Sequence, residues 1–239
     1  MTKQADLIDY LFEGVPHLLS VALAQWMDAS WRYTTFVETY RDKIRKKIRL
    51  SRQPDRALDL RSELEVPYCL LTDRRLVVAY EPYASAGGRG PDYAVTYRAN
   101  FVFNIEVART HAERNGTEAG DLPRNEQRIV RILLDKLGQM QPGMANLLII
   151  HSPAWPPGSP DLGSLMQQVK IKADGKDATF YAAGGYPKPA AFYKDFLHLN
   201  AILLWAAGTQ EWVNKQARPG LPDRVLHLVA SLLAGEGAD

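Results

Sequence analysis

The chain has a single cysteine, Cys69, in 239 residues, which excludes an internal disulfide and a cysteine-based zinc site. Its five histidines are scattered and form no metal-ligand motif. Long apolar runs are missing as well. The most apolar stretch, Ala201 to Gly208, is far short of the roughly 20 residues that span a bilayer, and it reads as a core helix. Net charge is low: a formal +2 is too mild to draw nucleic acid by bulk attraction, so only local clusters can count. Near the N-terminus Asp6, Asp9 and Glu13 interrupt the apolar segment that a secretory signal would need. The expectation is a cytoplasmic protein without a membrane span.

What is present is an ordinary globular composition, 46% apolar and 23% charged, in a chain long enough to bury a full core. Residues 1–54 read as a helical lead-in, with Phe36, Tyr40, Ile44 and Ile48 at four-residue intervals. Asp55 can cap a further helix toward Leu71, which Pro67 would kink or shorten. A β-branched run from Arg75 to Tyr80 and a Gly-rich loop from Pro82 to Pro91 follow. Two strands, Tyr93 to Tyr97 and Phe101 to Arg109, flank Arg98-Ala99-Asn100, a hairpin turn in which Asn100 can take the left-handed conformation. Glu126 to Met140 is strongly helical, and Asn146 to His151 reads as a buried strand. Beyond a Pro- and Gly-rich loop, residues 152–239 read as a mostly helical extension packed on a core of residues 55–151. It holds a helix near Leu165, a strand over Ala178 to Ala183, and helices over Ala190 to Ala206 and Leu221 to Leu233.

The hairpin carries the chemistry. With its turn centred on Ala99, Asp92 faces Glu106, and two carboxylates directly opposed in a sheet are unfavourable unless a cation or a proton is shared between them. Phe101, Phe103, Ile105 and Val107 point to one face; Val102, Asn104, Glu106 and Ala108 point to the other. Hard oxygen ligands without His or Cys suit Mg²⁺ or Mn²⁺. A surface pair on an edge hairpin is the plainer alternative.

Gly90-Pro91-Asp92 followed by Ile105-Glu106-Val107-Ala108 resembles the PD-(D/E)XK nuclease superfamily. The element order from Asp55 to His151 adds to the likeness, with Glu63 on the preceding helix in Arg61-Ser62-Glu63-Leu64. The resemblance implies a restriction-endonuclease-like fold, a mixed central sheet flanked by helices with helical additions at both ends. It implies that Asp92 and Glu106 bind Mg²⁺ or Mn²⁺, that Glu63 assists, and that a lysine orients the water attacking a nucleic-acid phosphodiester.

Ala108 stands where the superfamily places that lysine, and Arg109 points to the opposite face. Lys136 is a substitute, because it falls among Ile129, Ile132, Leu133 and Met140 on the apolar face of its helix, from which its ammonium can reach the carboxylates. A lysine snorkelling to solvent is the alternative. Replacing Lys136 by alanine is expected to cost rate rather than fold. Glu63 can equally be an exposed glutamate paired with Arg61 or Arg56. The dense basic run from Arg41 to Arg52 can track a DNA or RNA backbone or be a solvated helix face. Two functions follow: a metal-dependent nuclease, or a catalytically inactive module of the same fold that binds nucleic acid or protein.

Overall fold

The structure is a computed structural model and describes residues 3–83, 90–111, 124–153, 155 and 161–236. Five helices open the chain: α1 (Lys3–Phe12), α2 (Ser20–Ala29), α3 (Trp31–Thr39), α4 (Arg41–Leu50) and α5 (Pro54–Leu70). Then come β1 (Leu76–Tyr80), β2 (Tyr93–Tyr97), β3 (Phe101–Arg109), α6 (Arg124–Lys136) and β4 (Ala145–His151). The rest comprises α7 (Leu162–Asp174), α8 (Ala178–Ala183), α9 (Pro189–Phe196), β5 (Ala201–Trp205), β6 (Thr209–Val213) and α10 (Asp223–Leu233).

Among the described residues the chain is α/β, with six strands lying in sequence order. β1, β2 and β3 pair antiparallel, β3, β4 and β5 pair parallel, and β6 returns antiparallel to β5. The parallel centre needs crossovers, which α6 and then α7 to α9 supply. Alternation along β4 and β5 divides the interior in two. Leu147, Ile149, Ala201 and Leu203 pack with helices α1 to α5 and α10, while Leu148, Ile150, Ile202 and Leu204 pack with α6 to α9.

Several expectations are corrected. Ala201 to Trp205 is a strand rather than a helix, because a parallel strand buried on both faces shows the same continuous apolar run as a short core helix. Ala178 to Ala183 is a helix rather than a strand: the Asp177 carboxylate accepts the Thr179 and Phe180 N–H groups and caps it. β6 is short and half-buried and leaves little periodicity to detect. The segment beyond residue 151 therefore adds two strands to the sheet. The hairpin turn places Arg98 and Ala99, not Asn100, in the left-handed region, at φ 49° and 61°. Gln53, not Asp55, takes the N-cap position of α5, and Pro67 remains inside that helix. The Gly-rich loop lies outside the described residues over 84–89, as does most of the loop after Ser152. Among the described residues no helix is long and apolar enough to cross a membrane. Burial, first, and the Glu65 charge push the Cys69 thiol up to about 12, which suits packing rather than nucleophilic attack.

His151 closes β4 with its ring 4.3 Å from that of Trp205 and its Nδ1 2.7 Å from Ser62 Oγ. Burial, then the Arg109 and Arg61 charges, hold its pKa down at about 4, against an ordinary value of 6.5. The folded state thus favours the neutral ring, so its stabilisation is complete above the ordinary value and is lost as pH falls toward about 4. Calorimetry across this window is expected to show Tm falling less steeply in His151→Gln than in the wild type. Equal slopes would assign the acid sensitivity to other groups.

Candidate functional site

The hairpin register pairs Tyr93 with Ile105 and Val95 with Phe103, as a turn centred on Ala99 predicts. One step further, just before β2 begins, Asp92 comes against Glu106. β3 runs on to Arg109 without a β2 partner, so the Val107 N–H donates to Asp92 Oδ2 at 2.9 Å instead. Gly90 holds this entry to β2 close to Tyr83: a Cβ added at Gly90 would lie 2.8 Å from Tyr83 Cβ.

Glu106 is 1% exposed, on the face of β3 that turns toward α6. A buried carboxylate requires a counter-charge, and Lys136 supplies it from the last turn of α6, with Nζ 2.6 Å from Glu106 Oε1. The other oxygen, Oε2, is buried with no hydrogen-bond partner. Burial works against the Lys136 charge, but Glu106, by charge and hydrogen bond, and Asp92 outweigh it and hold the ammonium above the ordinary lysine range. Burial pushes the Glu106 carboxyl up, and Lys136 opposes that shift.

Glu63 arrives from the opposite face of the sheet. Its Oε1 accepts from Lys47 Nζ at 2.5 Å and from the Tyr80 hydroxyl at 2.6 Å. Pro67, having no N–H, leaves the Glu63 carbonyl without its helical donor four residues on, and the Tyr93 hydroxyl donates to it at 2.9 Å. Burial, then the Glu63 and Glu106 charges, raise the half-buried Asp92 carboxyl well above the ordinary range, against Lys47 and the Val107 N–H. A cleft of about 690 Å³ opens here, lined by Glu63, Asp92 and Lys136 and, farther out, by Arg109, His111 and Asp59. Glu106 lies just beneath its wall.

The structure thus brings Glu63, Asp92, Glu106 and Lys136 together. It adds Lys47, Tyr80 and Glu81, which local spacing does not reveal. Lys47 stands in the basic run, most of which is engaged within the molecule. Arg45 and Arg49 pair with Glu13, Arg41 lies over the Tyr10 ring, and Lys43 donates to the Tyr80 and Glu81 carbonyls. Lys46 and Arg52 are exposed.

Among the described residues no three His, Cys, Asp or Glu side chains are grouped closely enough to enclose a metal by themselves. Mg²⁺ asks for less, since it keeps several waters and is typically held by one or two carboxylates together with substrate phosphates. Asp92, crowded by like charge, and the unpartnered Glu106 Oε2 fit that smaller set. No protein-family model, curated protein or solved structure matches the chain.

The ion pair alters the expectation for Lys136, because removing it strands a buried charge. Lys136→Met is expected to cost about 3 kcal/mol in urea denaturation. Glu106→Gln in the same chain should return most of that loss; no recovery in the double variant would show that the pair contributes only packing.

Proposed function

We propose that the chain is a metal-dependent nuclease, or a relative of one, of the PD-(D/E)XK type with a restriction-endonuclease-like core, acting on nucleic-acid phosphodiesters in the cleft beside Asp92. The observation that carries this reading is the 2.6 Å contact between Lys136 and Glu106, because it brings an ammonium to the carboxylates although Ala108 occupies the motif position. Asp92 and Glu106 are the residues that would hold Mg²⁺ or Mn²⁺. The ion would supply Lewis acidity, lowering the pKa of an attacking water and offsetting charge on the phosphate.

The chain's own groups divide the remaining work. Lys136 keeps its proton at neutral pH, so it serves as a hydrogen-bond donor and positive charge toward water or a phosphate oxygen, not as a base. Glu63, with one oxygen fixed by Lys47 and Tyr80, lines the cleft as an acceptor that can orient the water. Ala108 favours the rival reading, an inactive binding module.

Mn²⁺ or Mg²⁺ is expected to raise Tm, by about 2.7 kcal/mol of stability at a hundred times Kd, and Asp92→Asn or Glu106→Gln should remove the effect. With mixed nucleic acids and metal, the wild type should cleave and Asp92→Ala should not. Lys136→Ala should lose cleavage while the metal-dependent Tm shift persists. A wild type that binds metal but never cleaves would decide for the module.

A further inference from the structure

The second ammonium at the centre comes from α4, outside the stretch that resembles a nuclease. Lys47 Nζ lies 2.5 Å from Glu63 Oε1 and 2.9 Å from Glu81 Oε1, and it sits over the Tyr80 ring, 5.0 Å from the centroid. Two carboxylates from separate elements and an aromatic face converge on one point, which is the surrounding of a bound cation. Asp92 adds its field to the same point.

The backbone is arranged to keep this arrangement. Glu81 takes a left-handed conformation at φ 44°, unfavourable for a residue with a Cβ. Its N–H donates to the Asp92 carbonyl at 2.7 Å, and Lys43, one turn before Lys47 on α4, donates to its carbonyl at 3.0 Å. Strain held by specific contacts beside a site is an observation from which function can be argued. Here the strained corner delivers the Glu81 carboxylate to Lys47.

We infer that Lys47 is a resident cation in the position a second divalent ion would take, so that the centre binds one metal ion per chain, at Asp92 and Glu106. The inference rests on the metal reading above and deepens it by fixing the number of ions. Four carboxylates, Glu63, Glu81, Asp92 and Glu106, carry two ammonium partners, Lys47 on Glu63 and Glu81 and Lys136 on Glu106. The net charge of −2 left when all are ionised is balanced by one divalent ion. Two divalent ions beside the two lysines would instead place four cationic centres on the same four carboxylates, leaving an excess positive charge in which the cations repel one another. Lys47 is thus a positioning residue: it holds Glu63 in place and excludes a second metal.

The test is Mn²⁺ titration of the full chain, with free ion counted by electron paramagnetic resonance. The wild type should bind one ion and Lys47→Arg one, whereas Lys47→Met, which leaves Glu63, Glu81 and Asp92 without their shared cation, should bind two. Two ions on the wild type, a second ion on Lys47→Arg, or one ion on a folded Lys47→Met would each overturn the inference while leaving the metal reading intact. No bound ion on the wild type would remove both. The wild-type count decides on its own if Lys47→Met does not fold.

Discussion

Everything at the centre of this molecule follows from placing a carboxylate, Glu106, inside a sheet covered on both faces. Such a group must be neutralised where it stands, because water cannot reach it. The register that buries Glu106 also brings up Asp92, so one buried charge becomes a crowd of like charges. The fold answers with ammonium groups carried on helices, and the positions of α4 and α6 around the end of β3 can be understood as the reach of Lys47 and Lys136.

The two lysines enter from opposite layers. Lys136 belongs to the crossover that the parallel pairing of β3 and β4 demands, so its presence near the sheet is a consequence of topology. Lys47 belongs to helices that precede the sheet, and its arrival depends on α4 packing near the end of β1. This makes the N-terminal helices part of the charge cluster rather than an ornament on it. It also explains the basic run on α4: its charges chiefly satisfy Glu13, Glu63 and the carbonyls at the end of β1, which leaves little of the run for an external phosphate backbone.

The hairpin and its register were legible because a period of two, read across a three-residue turn, determines which side chains oppose. Lys136 was legible because the helical period places a charged residue on an apolar face, an anomaly with a direction. Lys47, Tyr80 and Glu81 were not, since they meet Glu63 only when separate elements converge, and no local pattern encodes that meeting. The same limit explains β5: hydrophobicity without alternation states that a segment is buried but not how its backbone runs. At α8, a segment of six residues too short to display a helical period, one capping aspartate decides for a helix.

The face assignments of β3 have a further consequence. Phe103, Ile105 and Val107 occupy one core while Asn104 and Glu106 face the other side, so sliding this strand by one residue would drive a carboxylate among aromatic rings and expose the apolar set to Lys136. Errors of pairing would therefore be self-revealing: a molecule that misaligned its hairpin would forfeit its core packing and the ion pair of Lys136 with Glu106 together.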